Sequence, residues 1–202
     1  MHALYDYVTG LRYVMVPLGV NSLRPHAAVN VFKNQFGDCK DKANLFNTLL
    51  RSLGLEACLV LVPRFSQAHD AVPGMAFNHA ISRVQLGGDA LWVDTTDDVC
   101  RFGMLPPGDP GRRVLVIDGQ STNLTQLPLT GPKDHRLEMR GELKCLAAGD
   151  PAPVSFHAKA AGFPDYDLRT MAGLAKERGR NVPLLAAKFR SEEHTSELQS
   201  PY

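Results

Sequence analysis

Cysteine is scarce in this chain. The four, Cys39, Cys58, Cys100 and Cys145, are scattered over 202 residues with no CxxC pair among them, which indicates neither a zinc site nor a dense disulfide framework. No metal and no cofactor is expected. An excess of charge of one sign is also lacking: the net charge of +1 gives no electrostatic case for nucleic acid or an anionic membrane surface. Long apolar runs are missing too. None approaches the roughly 20 residues of a membrane span, so this segment is not expected to insert in a bilayer. No signal peptide precedes Met1, yet Met1 reads equally as an internal methionine of a longer product, and the compartment stays open. What is present is 44% hydrophobic residues, enough for one domain of ordinary size, or one domain and part of a second.

The best specified stretch is Gly37-Asp38-Cys39-Lys40-Asp41-Lys42-Ala43. After it Ala43, Phe46, Leu49, Leu50 and Leu53 recur at helical spacing and Gly54 follows as a stop, so residues 39 to 53 read as a helix. Asp38 is a good N-cap, and Asp41 stands where an acid can reach back in a capping box. Cys39 falls in the first turn, where the positive end of the helix and the neighbouring Lys40 and Lys42 favour a thiolate. It is a candidate nucleophile. The plain alternative is a buried structural thiol.

Around this helix the chain reads as mixed α and β. Leu4, Tyr7, Val8, Leu11 and Val14 predict a helix over residues 2 to 14, interrupted only by Gly10. Residues 15 to 26 read as a loop and 27 to 32 as a short helical turn. The run Ala57-Cys58-Leu59-Val60-Leu61-Val62 reads as a strand covered on both faces and central in a sheet, with Cys58 inert in it. A long loop, 63 to 77, follows. Residues 78–86 and 90–95, separated by Gly87-Gly88-Asp89, predict a hairpin. With Gly87-Gly88 as the turn, Leu86 faces Asp89 and Ile81 faces Asp94, which puts His79 and Asp94 on one face as diagonal neighbours.

Cysteine nucleophilic catalysis needs a thiol ready to ionise, an imidazole to take and return its proton, and a third group to orient the imidazole. Cys39, His79 and Asp94 can supply these three parts. Their order, with the cysteine at a helix start and the other two on a hairpin, is the layout of papain-like folds. Arg12-Tyr13, Arg24-Pro25-His26, the GDCKDKA block, Phe77-Asn78-His79-Ala80 and Leu91-Trp92-Val93-Asp94-Thr95-Thr96 together resemble the bacterial transglutaminase-like superfamily. The resemblance runs from about residue 4 to about 120. It is to the subgroup in which this core lies between β-rich accessory domains, often in exported or envelope-associated proteins.

That resemblance implies an α+β core with the helix of Cys39 packed on an antiparallel sheet. It implies acyl transfer through a thioester on Cys39, with His79 as general base and acid and Asp94 as orienter. The implied partner is a protein or peptide carrying an amide, and hydrolysis is as open as transfer. Lys40 follows the cysteine where animal members have Trp, so their crosslinking activity and calcium dependence are not carried over. For the oxyanion hole the Cys39 amide is expected, with Gln35 as a side-chain candidate. Trp92 lies on the face of Asp94 and reads as core packing before a substrate platform. His2, His26 and His69 show no pairing pattern. A catalytically idle member that binds a peptide or scaffolds an assembly is the alternative, and a thiol redox protein is disfavoured by the lack of a resolving cysteine near Cys39.

The Pro- and Gly-rich stretch 105 to 111 reads as linker-like, with one more strand at Val114–Ile117. The core is expected over 1–122, a linker over 123–135 and a partial, β-rich accessory domain over 136–189. In that last segment, strands flank a turn at 148–151 and a helix runs from about Tyr166 to Arg178. Residues 190–202 resemble the conceptual translation of a sequencing adapter and are expected to be foreign to the natural chain.

Overall fold

The computed structural model of the chain describes residues 1–15, 22–69, 76–121, 123–143 and 154–177. It divides into two units, Met1–Thr130 and Gly131–Tyr202. The first helix, α1, spans His2–Thr9 and is shorter than the predicted 2 to 14. Gly10 closes it, donating its N–H to the Asp6 carbonyl at 3.0 Å. Arg12–Tyr13 (β1) then run extended and pair in parallel with Phe36–Gly37 (β2). The apolar spacing continues past Gly10 because Leu11 enters the same core as Tyr5 and Val8, but from backbone that has left the helix.

Helix α2 (Ala28–Asn34) leads into β2, and α3 (Cys39–Ser52) occupies the range its periodicity predicts. Five strands follow: β3 (Ala57–Val62), β4 (His79–Leu86), β5 (Asp89–Val93), β6 (Arg113–Ile117) and β7 (Thr125–Gln126). They form one sheet in the order β5-β4-β3-β6-β7 with antiparallel pairing throughout. β3 is central, as its apolar run implies. One face carries Ala57, Val84 and Val93 and packs with Phe46 and Leu50 of α3 and with Tyr5 and Val8 of α1. The other buries Val60, Val62, Ile81 and Trp92 with Leu105, Val114, Val116 and Leu127. The molecule is therefore α+β, with the cysteine-bearing helix laid on an antiparallel sheet.

Two stretches that read as connectors belong to this unit. Leu105 and Asp109, in the Pro- and Gly-rich stretch, are buried, and Leu127 is only 1% exposed although it follows the expected core boundary at 122. A strand of two residues is too short to leave a periodic signal, which is why β7 cannot be read from sequence. Lys42 is another departure. Expected to lend its charge to the first turn, it lies buried, and Nζ donates to the carbonyls of Thr9 at 2.9 Å and Leu11 at 3.0 Å. It ties the end of α1 to α3. Burial lowers its pKa, with Asp94 and Asp98 opposing.

In the second unit a 3-10 turn at Pro132–Asp134 precedes β8 (Arg136–Leu143), which pairs antiparallel with β9 (Val154–Ala161), and α4 spans Phe163–Glu177. Gly162 has φ +67°, and a Cβ there would meet the Asp134 carbonyl oxygen at 2.3 Å, so glycine is required at the corner between β9 and α4. The turn expected at 148–151, Cys145 and the adapter-like tail lie outside the described residues. Among the described residues no helix is long and apolar enough to cross a membrane.

Candidate active site

The start of α3 is fixed from several directions. Asp38 accepts from the Asp41 N–H at 3.3 Å, and Asp41 accepts in return from the Asp38 N–H at 3.4 Å, completing the capping box. Asp41 also receives the backbone N–H of His26 at 2.8 Å and lies 2.9 Å from its Nδ1, while Asn44 donates to the His26 carbonyl at 2.9 Å. His26, which shows no pairing pattern in sequence, clamps the first turn. Its place beside Asp41 depends on a loop whose path the chain's periodicity does not record. Lys40 pairs with the buried Asp38 carboxylate.

Gly37 precedes the cap where a Cβ would stand 2.7 Å from the Asp41 Cβ and 3.3 Å from Val31 Cγ1. Gly37→Ala is therefore expected to push the first turn aside. The expected loss of stability is about 1–3 kcal/mol, measured by urea unfolding, with slower alkylation of Cys39 in the folded protein.

His79 opens β4 and Asp94 follows β5. The hairpin register pairs Leu86 with Asp89 and Ser82 with Val93, the register that the Gly87-Gly88 turn predicts. The two side chains meet: His79 Nε2 lies 2.8 Å from Asp94 Oδ2. Both residues are buried, His79 at 8% exposure and Asp94 at 1%. Asp94 Oδ1 accepts from the Thr96 N–H at 2.8 Å and the Thr96 hydroxyl at 2.7 Å. Oδ2 also accepts from Arg64 Nη2 at 2.6 Å. The carboxylate is thus saturated, with four donors on two oxygens.

Cys39 is a free, partly exposed thiol, and it interacts with His79 strongly enough to help raise the imidazole's pKa. Since Nε2 is taken by Asp94, Nδ1 is the ring nitrogen left for the sulfur. An imidazole held by a carboxylate and interacting with a thiol is the arrangement a proton shuttle requires. Burial alone would strip the charge from His79. The Asp94 hydrogen bond, the interaction with Cys39 and the Asp94 charge outweigh it, against opposition from Arg64, and push its pKa up to about 9. Asp94 answers in kind. Burial works against its charge, but the His79 hydrogen bond and charge, then Arg64 and Thr96, hold it down to about 2. At neutral pH the pair is imidazolium and carboxylate.

Tyr13, two residues beyond Leu11, also reaches the site. Its pairing with Gly37 across β1–β2 sets it beside the start of α3, near enough to Cys39 for Cys39 to act on its hydroxyl. Burial, then the charges of Cys39 and Asp38, push the phenol up to about 12, so it is a neutral donor at working pH. In sequence Arg12-Tyr13 carries part of the family resemblance but signals no role in the site. The two-residue parallel pairing that brings it to Cys39 has no pattern of its own.

Gln35 and Trp92 stand apart from this chemistry. Gln35 caps α2 in the left-handed region at φ 59°, and its amide nitrogen donates to the Tyr7 hydroxyl at 2.6 Å and to the Phe32 carbonyl. Both amide hydrogens are engaged. Trp92 is 8% exposed among the aliphatic side chains of the second sheet face, with the Arg83 guanidinium 5.9 Å from its ring.

The ligand atoms of His79, Asp94 and Asp109 lie within 4.8 Å of one another, a spacing compatible with a cation. Arg64, however, donates to both carboxylates and supplies positive charge there. Of the remaining cysteines, Cys58 and Cys100 are free as well, and burial raises the pKa of each, Cys100 to about 12.

Comparison with known proteins gives a match over residues 1–95 to the core model of the transglutaminase-like superfamily. This span contains Cys39, His79 and Asp94. Among solved structures, a protein of Cytophaga hutchinsonii described as a candidate cysteine protease is similar at 17% identity and a TM-score of 0.39, over 79% of this chain and 43% of that one. The chain thus spans less than half the length of that structure. No curated protein sequence matches.

Proposed function

We propose, from the match of residues 1–95 to the transglutaminase-like core model, that the protein is a cysteine acyltransferase or amide hydrolase acting through a thioester on Cys39. The observation that carries this reading is the buried His79–Asp94 pair at 2.8 Å, whose imidazole also interacts with the Cys39 thiol. The Cys39 sulfur attacks a carboxamide or peptide carbonyl and forms a C–S bond. The C–N bond breaks as His79 gives its proton to the departing ammonia or amine. Water or a second amine then attacks the thioester, losing its proton to His79, and the thiol is regenerated. The oxyanion is received by the Cys39 amide and by the Tyr13 hydroxyl, which interacts with Cys39.

Protein or peptide amides are the proposed substrates, and hydroxylamine as acceptor tests the reading without knowledge of the natural amine. Wild-type protein incubated with glutamine-containing peptides and hydroxylamine is expected to form hydroxamates, or to cleave the peptides, while Cys39→Ser does neither. Equal product from wild type and Cys39→Ser would refute a thioester on Cys39. Failure of both, with a Cys39 that alkylates no faster than a free thiol, would transfer the fold to peptide binding or scaffolding.

A further inference from the structure

The Cys39-His79-Asp94 set does not end at Asp94. Arg64 stands just after β3, and its guanidinium spans two buried carboxylates. Nη2 donates to Asp94 Oδ2 at 2.6 Å and to Asp109 Oδ2 at 2.6 Å, and Nε donates to Asp109 Oδ1 at 3.0 Å. The Asp109 contact is two-pronged, the geometry that holds a guanidinium in one orientation. Asp109 is itself 1% exposed. The Arg64 backbone is held as well, its N–H donating to the Asn78 side chain at 2.7 Å, and Asn78 is the residue before His79. Nearby, Arg112 donates to the Pro63 carbonyl at 2.6 Å, tying the segment of Asp109 to that of Arg64.

We propose that Arg64, anchored on Asp109, is a positioning residue of the reaction, acting on His79 through Asp94. The inference rests on the proposed roles of Cys39, His79 and Asp94. His79 Nε2 and Arg64 Nη2 share Asp94 Oδ2. The guanidinium therefore fixes the lone-pair direction left for the imidazole and draws on the same negative charge that stabilises the imidazolium. A histidine held too strongly protonated is a poor acid toward a leaving amine, and a second cation on its carboxylate restrains that excess. The titratable groups that interact with the pair, or stand beside it, are Cys39, Arg64, Lys42, Tyr5, Cys100 and Asp109. Of these only Arg64 donates to both Asp94 and Asp109.

The test is the protonation midpoint of His79, followed by NMR of its ring signals in the full chain. Wild type, Arg64→Gln, Arg64→Lys and Asp109→Asn are compared, with circular dichroism confirming the fold. Thr96 still grips Asp94 Oδ1 when Arg64 is replaced, so Asp94 stays in place and only the restraining charge is lost. The midpoint is expected to rise in Arg64→Gln, to return toward wild type in Arg64→Lys, and to fall in Asp109→Asn, which removes a carboxylate charge within 4.8 Å of the imidazole and leaves the guanidinium on Asp94. An unchanged midpoint in folded Arg64→Gln would reduce Arg64 to a structural strut and overturn the inference. So would a fall in that variant toward the ordinary histidine value of about 6.5. A wild-type midpoint already at that ordinary value, unaffected by Cys39→Ser, would instead bring down the triad reading, and the inference with it.

Discussion

Asp94→Ala is expected to destabilise the protein by about 3–5 kcal/mol, the range for removing one partner of a buried ion pair. The reason lies in what remains. The His79 imidazolium, the Arg64 guanidinium and the Thr96 N–H and hydroxyl all point at the Asp94 carboxylate. Without it two cations are left sharing a buried space. Urea unfolding at neutral pH measures the loss, and a change under about 1 kcal/mol would mean that the carboxylate does not hold these groups together.

The pair also gives wild-type stability a pH window. His79 is raised to about 9 in the fold from about 6.5 in an unfolded chain. Its contribution is therefore complete below about 6.5 and is lost as pH rises toward 9. Asp94 is depressed to about 2 from about 3.9, so its contribution is present above about 3.9 and lost as pH falls toward 2. Stability from this pair is greatest between these limits. In Asp94→Ala the alkaline decline should flatten.

The second large effect is on turnover. In His79→Ala the Cys39 sulfur keeps its helix start but loses the group that takes and returns its proton. Thioester formation at neutral pH is expected to fall by about 10²-fold or more, the usual weight of positioned acid–base catalysis. Hydroxamate formation from a glutamine peptide measures it. The fold should survive, because His79 is the first residue of β4 and the helix-facing core around Phe46, Leu50 and Val84 does not include it. Full turnover in folded His79→Ala would remove His79 from the mechanism.

Much of this was legible in the sequence because it rests on local chemistry. The Asp38–Asp41 capping box, the helix from Cys39 and the hairpin register through Gly87-Gly88 each follow from short-range rules. The register alone sets His79 beside Asp94. What stayed hidden depends on chain segments meeting across space. Arg64 and Asp109 lie in stretches that read as loop and linker, and nothing in a loop's composition says which carboxylate its arginine will find. Lys42 looked like a charge for the thiol because its sequence neighbour is Cys39's own turn, yet the carbonyls of Thr9 and Leu11 claim its ammonium. Tyr13 sat in a predicted helix. Only the break at Gly10 frees it to run beside Gly37 and reach Cys39.

The central claim is that Cys39 and His79 act as one acid–base pair. The rate of iodoacetamide labelling at Cys39, located by peptide mass spectrometry and followed from acid to alkaline pH in wild type and His79→Ala, tests it most directly. The account predicts wild-type labelling that begins well below the free-cysteine range of about 8.5, with onset moving to higher pH in His79→Ala. Superimposable profiles in the two proteins, both rising only in the ordinary thiol range, would contradict it and leave Cys39 a structural thiol at the head of a helix.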